Sequence, residues 1–373
     1  MFETLSHLAL QQYWWVIISL LAALLVFMMF VQGGQSLIYN LAKNDEDRDI
    51  LLMSIGTKWE ITFTTLVTFG GAFFASFPLF YSTSFGGAYW VWMAILFCFV
   101  IQAVSYSYRK SPANFLGQKT FDAFLFINGL GGTILIGTAV GTFFNGAMFS
   151  VNEMNFSKWE TPYGGLEAVL NYHNVALGLA IFFLARIIAL MYFRISIDDK
   201  VIFDRTKKHL AINVIPFLVF FLLFVIALMF KPGYAYDAQG FVKVEPYKYL
   251  HNLLELPVVT VVFLGGVVAV LWGIFTAYFK DSKKSIWVAG PGVVATVFAL
   301  FLFTGLNNTS FYPSTFDAQS SLTIVNASSS KFTLTAMSYV SLFVPFVMAY
   351  IWYVWKQLSK TTIDRELAKN DYH

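Results

Sequence analysis

Residues 58–78 read KWEITFTTLVTFGGAFFASFP, a run in which apolar and small residues dominate. A helix that crosses a bilayer needs about 20 consecutive, mainly apolar residues. This stretch therefore predicts a membrane-spanning helix, and it decides the class of fold. It opens with Trp59 and the carboxylate of Glu60, and the pair Gly70–Gly71 lies in its middle. An acid at the start of a membrane helix raises the question of which side it faces and what surrounds it.

The composition of the whole chain agrees with a membrane protein. Its 373 residues are 58% hydrophobic and only 12% charged, whereas a soluble domain carries about 25% charged residues. The formal net charge of +3 comes from basic residues beside apolar runs, so it indicates membrane orientation and not a nucleic-acid surface. Cys98 is the single cysteine and lies in an apolar run, which excludes an intrachain disulfide and a thiol-based metal site.

Nine apolar segments are long enough to cross a membrane. They predict an all-α polytopic membrane protein, with helices packed in bundles and residues 1–373 forming one integral-membrane domain. The predicted spans are residues 13–39, 61–81, 88–108, 121–146, 174–196, 211–230, 256–279, 287–304 and 335–355.

The distribution of basic residues predicts the orientation, because Lys and Arg accumulate in cytoplasmic loops. When the N-terminus is placed outside, 18 of the 24 Lys and Arg residues fall in inner segments and five in outer ones. The remaining one, Arg186, lies inside a span. We therefore expect the N-terminus outside, the C-terminus inside, and Glu60 at the cytoplasmic end of the second span.

Two glutamines share the predicted depth of Glu60. Gln32 and Gln35 lie near the cytoplasmic end of the first span, on either side of Gly33–Gly34. The three side chains form a polar cluster if the first two helices pack together. Two simpler interpretations remain open. An acid in the first turn is favoured by the helix dipole alone, and a glycine pair allows close packing with glutamines bonded across it.

Three more charged residues are candidates for function. Arg186 lies mid-span, where an arginine costs about 2.5–3.5 kcal/mol on insertion scales. No acid of this chain shares its predicted depth, so we expect it to contact another subunit or a quinone head group. Arg109 ends the third span and Asp122 opens the fourth, both on the inner side. They serve either as membrane anchors or as part of a site.

The histidines do not predict a haem site inside the membrane. Histidine is the usual axial ligand of haem, and none of the five histidines lies mid-span. A surface haem between His173 and His251 is the one alternative, and we expect no haem or metal bound directly to this chain. No C-x-x-C-H, H-E-x-x-H, Walker or dinucleotide-binding pattern is present.

Several motifs occur in an order that resembles subunit II of the bacterial cytochrome bd quinol oxidases. The stretch LAKNDEDRDILLMSIGTKWE at 41–60 is similar to the family's segment ending in Trp-Asp, with Glu60 replacing the usual Asp. Further similarities are VTFGGAFFASFP at 67–78, SYSYR at 105–109, IGTAVGTFFNG at 136–146 and SSLTIVNASSSKFTL at 320–334.

The sequence also departs from the family pattern. The family's first helix usually carries acids in a pattern like Asp-Gly-Phe-Asp, where this chain reads Gln32, Gly33, Gly34 and Gln35. After Trp-Asp the family commonly has Gly-Asn-Glu/Gln-Val-Trp, where this chain has ITFTT at 61–65. Two titratable groups are thus replaced by neutral amides, and Glu60 becomes the main remaining carboxylate.

The resemblance implies a heterodimer in the bacterial cytoplasmic membrane. The partner, subunit I, would hold haems b and d and the quinol-oxidising loop, and the complex would oxidise quinol and reduce dioxygen to water. Small accessory subunits, lipid and a structural quinone are further partners that the resemblance allows, whereas nucleic acid is not expected. A secondary transporter with a polar site inside the helix bundle is the alternative function.

The resemblance also assigns roles to particular residues. It implies no catalytic residue in this chain, which would support subunit I and line part of the cytoplasmic proton path. The candidates for the proton path are Glu60, Gln32, Gln35, Arg109 and Asp122. The candidates for contact with the partner or a quinone are Trp59, Arg186 and Asn326.

Overall fold

A computed structural model of the protein describes residues 2–359 and 362–366, and helices dominate it. The helices are α1 His7–Met28, α2 Phe30–Leu41, α3 Asp45–Gly56, α4 Trp59–Ser76, α5 Pro78–Phe80, α6 Tyr89–Tyr108, α7 Gln118–Ile127, α8 Thr133–Asn145, α9 Tyr172–Ser196, α10 Lys200–Phe230, α11 Lys248–Glu255, α12 Pro257–Phe279, α13 Ile286–Gly305, α14 Lys331–Ser341 and α15 Val344–Leu358. The strands are β1 Phe149–Val151, β2 Ser157–Trp159, β3 Gly233–Tyr236 and β4 Val242–Glu245.

The described helices confirm the predicted all-α polytopic class. They form seven continuous helical spans that are long and apolar enough to cross a membrane. The number of spans rises to nine if each of two bent helix pairs counts as one span. α1 and α2 form one span, as do α7 and α8, which join through a π-helical segment at Asn128–Gly132. All nine predicted segments therefore correspond to helices, while the orientation of the termini stays a prediction.

The second predicted span, 61–81, is not one straight helix. α4 ends at Ser76, and the helical segment Pro78–Gly87 turns away from it by 118°. Pro78 causes the break because it lacks a backbone N–H and restricts the residue before it. A loop residue then satisfies the carbonyls left at the end of α4: Ser329 donates its backbone N–H to Ser76 O (2.8 Å) and its hydroxyl to Ala75 O (2.6 Å).

Small residues bring the central helices into close contact. A Cβ atom added to Gly33 would lie 2.1 Å from the carbonyl oxygen of Ala185, so α2 and α9 touch backbone to backbone. This arrangement is typical of helix pairs in membranes. The close approach predicted for Gly33–Gly34 is present, whereas Gln32 and Gln35 bond toward α6 and not across this contact. Gly71, in contrast, has no atom within 4 Å of its added Cβ, so the second glycine pair does not bring a neighbouring helix of this chain close.

The bundle has two chemically different ends. One end carries both β-hairpins, which bridge to the segment after α13 through the pairs Ala147–Ser314 and Ala235–Thr309. We call it the hairpin side. The opposite end, called the α3 side, carries the helix α3 in the charged segment between the first two predicted spans. The Asn44 side chain caps this helix, α3, by accepting a hydrogen bond from the Asp47 N–H (2.7 Å).

The fold predicts that its two ends are labelled from opposite sides of the membrane. Gln239→Cys in the β3–β4 hairpin and Lys284→Cys on the α3 side replace exposed residues. The single native thiol, Cys98, is buried and gives little background. An impermeant maleimide should label one variant only in intact cells or right-side-out vesicles, and the other only in inverted vesicles. Labelling of both variants from the same side would contradict the fold.

Candidate functional site

Four buried amide side chains meet between α2, α6 and the π-helical segment. Gln102 Oε1 accepts hydrogen bonds from Gln32 Nε2 (2.8 Å), Gln35 Nε2 (3.1 Å) and Asn128 Nδ2. Gln35 Oε1 also accepts from Asn128 Nδ2 (2.8 Å), and its Nε2 donates to the Tyr106 hydroxyl (3.0 Å). All four amides are fully buried. We call this group the amide network.

The amide network leaves hydrogen-bonding capacity unused. Gln32 Oε1, Gln102 Nε2 and Asn128 Oδ1 are buried and have no partner in the described chain. A buried polar atom without a partner costs free energy, and one donor with two acceptors suits the bonding needs of a water molecule. The three atoms are the part of the network that the described chain leaves unsatisfied.

An ion cluster lies next to the amide network, toward the α3 side. Arg109 Nε donates to Asp122 Oδ1 (2.6 Å), and Arg109 Nη1 donates to Asp49 Oδ1 (2.6 Å). Lys110 Nζ contacts Asp49 Oδ2 (2.5 Å), and Arg48 Nη1 contacts Asp122 Oδ2 (3.2 Å). Burial disfavours the charged guanidinium, but the two carboxylates outweigh burial and raise the pKa of Arg109 above its usual value. Arg109 therefore stays charged at neutral pH.

A cavity extends from the ion cluster to Tyr106, the hydroxyl of which accepts a hydrogen bond from Gln35 in the amide network. Its volume is about 310 Å³, and its lining includes Trp59, Tyr106, Arg109 and Lys110. The rings of Trp59 and Tyr106 stack with centroids 5.7 Å apart and an interplanar angle of 11°. The cavity is large enough for several water molecules. Polar groups therefore continue from the α3 side through Tyr106 to Gln35.

Glu60 does not join this group, which makes the predicted cluster with Gln32 and Gln35 wrong. Its side chain is exposed on the outward face of α4, one residue beyond the cavity wall at Trp59. No described residue bonds or pairs with its carboxylate. The reason is rotation about the helix axis: α4 turns Thr62 inward, where its hydroxyl lies 3.2 Å from Met28 O, and turns Glu60 outward.

The residue before Trp59 is a titratable group that sequence analysis counted only as a topology signal. Lys58 is fully buried at the start of α4. Its ammonium donates to Thr57 Oγ1 (3.3 Å) and lies 5.1 Å from the centre of the Trp355 ring. Burial without a carboxylate partner lowers the pKa of Lys58 to about 8. Its amine is therefore far easier to deprotonate than that of an exposed lysine.

A second set of ion pairs fixes α3 to the C-terminal segment. Asp47 contacts Arg205 (2.5 Å) and Arg365 (3.0 Å), and Arg365 also contacts Asp199 (2.7 Å) and Glu46 (3.1 Å). Burial favours the neutral form of Asp47 and Asp199, but their hydrogen-bond donors, Arg365 among them, prevail and lower both pKa values. These carboxylates therefore remain charged throughout the neutral pH range.

Arg186 finds neutral partners inside this chain, so it does not require the second subunit or quinone that we expected. Its Nε donates to Asn213 Oδ1 (2.6 Å), its Nη1 to Ser36 O (3.1 Å), and its Nη2 to Asn40 Oδ1 (3.0 Å). Arg186 needs no acid at this depth, because amides and a backbone carbonyl solvate its guanidinium. Its contact with a partner stays a prediction.

Asn326 closes a turn before α14. Its Oδ1 accepts from the Thr323 N–H (2.7 Å), and its Nδ2 donates to Ser321 O (3.0 Å). Its side chain is thus used within the loop that also supplies Ser329 to the broken helix. A contact with the partner stays a prediction for this residue too.

His173 and His251, the two histidines of the surface-haem alternative, both bond to other residues of this chain. Both ring nitrogens of His173 are engaged: Nε2 bonds to Phe224 O (2.9 Å) and Nδ1 to the Asn145 amide (2.8 Å). The side chain of His251 is 43% exposed at the surface and contacts Glu245 (2.7 Å). His373 lies outside the described residues. No group of three or more His, Cys, Asp or Glu in the described chain could hold a metal ion.

Sequence reasoning missed Gln102, Asn128 and Asp49. Gln102 and Asn128 are isolated polar residues in apolar runs, and that isolation was the available signal, because an amide in lipid needs a partner. Asp49 is one of four acids in residues 45–49, between the first two predicted spans, and nothing in the sequence distinguishes it from the other three. The structure brings Arg109 and Asp122 together, and it brings Gln32 and Gln35 together, as two pairs of the predicted candidates.

These features define a class of protein: a polytopic helical membrane protein with a buried polar network and an ion cluster at one end. The sequence model of the family described as cytochrome bd terminal oxidase subunit II matches residues 10–358. The chain belongs to this family. The alternative of a secondary transporter gains no support from the match.

Individual relatives and a solved structure agree with the family. The chain is 27% identical over 372 residues to cytochrome bd-I ubiquinol oxidase subunit 2 of Escherichia coli K12, covering 94% of both chains. It is 24% identical over 359 residues to cytochrome bd ubiquinol oxidase subunit 2 of Bacillus subtilis, covering 92% of this chain and 94% of that one. The fold resembles bd oxidase from Geobacillus thermodenitrificans, with a TM-score of 0.64, 13% identity, and coverage of 94% and 98%.

The amide network should contribute measurably to stability. Gln102→Ala removes the acceptor of Gln32 and one acceptor each of Gln35 and Asn128, so the free energy of unfolding should fall by about 1–3 kcal/mol. Thermal or urea unfolding of the purified protein in detergent measures the loss. Ser107→Ala, at an exposed position of the same helix, is the matched control and should change stability by less than about 0.5 kcal/mol. Equal effects would show that the network is energetically neutral.

The ion cluster should depend on its buried acid far more than on its exposed one. Asp122→Asn leaves two buried or half-buried arginines short of a counter-charge, so we expect a loss of about 3–5 kcal/mol. Asp45→Asn removes an exposed partner of the same Arg48 and should cost less than about 1 kcal/mol. The same unfolding assay compares the two variants, and similar losses would contradict a cluster organised around Asp122.

Proposed function

We propose that this chain is the haem-free subunit II of a bd-type quinol oxidase in the bacterial cytoplasmic membrane. It packs against a haem-bearing subunit I, and it lines part of the path that brings protons from the α3 side. Family membership supports the assignment to this oxidase, and the relatives' names mention ubiquinol as substrate. When bound to the partner, the haems supply the chemistry of dioxygen reduction.

The outward face of α4 is the observation that carries the proposal. Glu60, Thr64, Thr68 and Gly71 are exposed along one face of this helix. Each threonine hydroxyl bonds to the backbone four residues earlier, at 2.7 and 2.8 Å, so Glu60 is the group on this face that lacks a described partner. An ionised carboxylate in lipid is costly. A helix of subunit I that packs on this face and donates a hydrogen bond to the carboxylate lowers that cost.

Glu60 is suited to carry a proton because a carboxylate binds and releases one. The amides Gln32 and Gln35 hold hydrogen bonds but cannot titrate, and Arg109 and Asp122 are committed to each other. In the proposed path, Glu60 takes a proton from water on the α3 side and releases it along the interface with subunit I. Ordered polar surroundings come from the cavity behind Trp59. The side chains of Gln32, Gln35, Arg109 and Asp122 add to them.

The charge distribution supports the orientation of this path. The α3 side carries most of the Lys and Arg residues in the described part of the chain, so the positive-inside tendency makes it cytoplasmic and the hairpin side external. An oxidase that takes up protons on the cytoplasmic side adds to the membrane potential. The N-terminus is then external, and the C-terminal segment, held to α3 by Arg365, is internal.

This chain has a cavity that suits the tail of a structural quinone but not its ring. An apolar cavity between α1, α8, α9, α10, α12 and α13 is lined by residues such as Phe144, Leu184, Phe217 and Leu300. Such walls suit an isoprenoid tail. Thr296 is the polar residue of the lining, and its hydroxyl already bonds to Gly292 O (2.9 Å). The lining therefore supports binding of the tail and offers no free donor for the quinone ring.

The proton-path proposal is tested by Glu60→Gln in the assembled complex. Gln keeps the shape but cannot carry a proton in a carboxyl group, so quinol oxidase turnover should fall about tenfold or more, while haem content and assembly stay normal. The defect should deepen at high pH, where protons are scarce. Glu60→Asp should retain more activity.

Glu153→Gln is the matched control, because it neutralises an exposed acid on the hairpin side. It should leave turnover unchanged. If a fully assembled Glu60→Gln complex turns over like the wild type from pH 6 to 9, Glu60 is not an obligatory proton carrier. The proton path would then run through subunit I alone.

A further inference from the structure

The C-terminal end of the described chain returns across the α3 side of the bundle. Residues 362–366 lie beside the turn between α9 and α10, where Ile363 forms a parallel bridge with Ile197. Ile363 N donates to Ser196 O (2.8 Å), and Asp198 N donates to Ile363 O (2.9 Å). The Ile363 side chain is buried and belongs to the hydrophobic core. We call residues 362–366 the C-terminal strap.

Arg365 of the strap binds carboxylates from two separate helices. Its Nη2 contacts Asp47 Oδ1 (3.0 Å) and its Nη1 contacts Glu46 Oε2 (3.1 Å), and both acids lie in the first turn of α3. Its Nε donates to Asp199 Oδ2 (2.7 Å), and Asp199 is the N-cap residue of α10. One guanidinium thus joins the start of α3 to the start of α10.

Removal of this guanidinium would leave like charges near one another. Three carboxylates share Arg365, and Arg205 is a second partner of Asp47 (2.5 Å). Carboxylates that approach a common cation this closely repel one another once the cation is gone. The start of α3 and the start of α10 would therefore be pushed apart.

The ion pairs of Arg365 contribute most of what holds the strap in place. Thr362, Asp364 and Glu366 are exposed, and Ile363 is the one buried side chain among the five residues. Ordering a chain segment costs conformational entropy at every residue, so one buried side chain and two backbone hydrogen bonds leave little surplus. The Arg365 side chain is itself 34% exposed. Dissolved ions can therefore screen its ion pairs and weaken docking of the strap.

The helix that the strap holds also forms a wall of the cavity beside the ion cluster. Leu52, Met53 and Gly56 of α3 line this cavity. Ion pairs attach the helix at two acids: at Asp47 through the strap and α10, and at Asp49 through the ion cluster. Release of the strap would loosen the first attachment and so the wall that follows it.

From these contacts we infer that the C-terminal strap is a detachable clamp on α3. When docked, it holds the start of α3 beside α10 and keeps the cavity wall in place. When competing ions release Arg365, the start of α3 moves away from α10, and the cavity becomes more accessible from the α3 side. The inference does not depend on the proposed proton path, because it concerns the order of α3 alone.

Hydrogen exchange of the assembled complex, followed by mass spectrometry, tests the clamp. Arg365→Gln and deletion of residues 360–373 should each accelerate exchange of the α3 amides by about tenfold, since both remove the bridge to Asp199. The amides of residues 180–190 in α9 should exchange as in the wild type.

Two matched controls leave the clamp intact. Deletion of residues 367–373 keeps the strap, and Lys283→Gln removes an exposed partner of Asp198 (3.9 Å) in the turn that the strap contacts. Both should change α3 exchange by less than about twofold.

Salt and cavity labelling provide two further measurements. Raising NaCl from about 50 mM to about 1 M should accelerate α3 exchange in the wild type about fivefold, and Arg365→Gln should not respond. Met53→Cys, on the cavity wall, should react with a maleimide about tenfold faster when combined with Arg365→Gln. The parent protein, in which Cys98 is buried, gives the background.

Four results would overturn the inference. Wild-type exchange of α3 after deletion of residues 360–373 would show that the strap does not order this helix. An effect of the deletion without an effect of Arg365→Gln would assign docking to Ile363 and not to the ion pairs. Equal acceleration in α3 and α9 would indicate general destabilisation. If the variants fail to assemble, salt-insensitive exchange of α3 in the wild type would exclude the clamp.

Discussion

The middle of a bilayer offers no water to a polar group, and this constraint governs where this chain places its own. Every backbone or side-chain polar group at that depth needs a partner within the protein. The carbonyls freed at the end of α4 therefore receive Ser329 from a distant loop. The same need draws Gln32, Gln35, Gln102 and Asn128 together from three helical segments and surrounds Arg186 with amides and a carbonyl.

Sequence alone predicted the number and position of the apolar segments, because burial in lipid leaves a strong compositional signal. It could not predict how each helix is rotated about its axis, because lipid and protein neighbours are both apolar. Glu60 illustrates the difference: its depth followed from the sequence, whereas its outward direction did not. The 118° bend at Pro78 was not predicted, because the apolar composition continues on both sides of the proline.

The ends of the bundle were harder to predict than its middle. A short helix rich in acids, such as α3, resembles a polar loop in composition, although Asn44 and the acids behind it form a capped helix start. Only the ion pairs in the structure show what the charged side chains of α3 contact. Asp47 and Asp49 reach α10, the C-terminal segment and α6, so this helix ties together segments far apart in sequence.

The π-helical segment Asn128–Gly132 has a consequence for comparing relatives. A π turn holds one residue more than the α turn it replaces, and deleting one residue there would rotate the whole of α8 by about 100° relative to α7. In α8, a Cβ added to Gly137 or Gly141 would lie 2.7 Å from a backbone atom of α9, so both glycines face that helix. After the deletion, Asn128 could face the glutamines or these glycines could face α9, but not both. A relative whose alignment carries a single-residue gap at this point must therefore have replaced one of these two contacts, even where every other position matches.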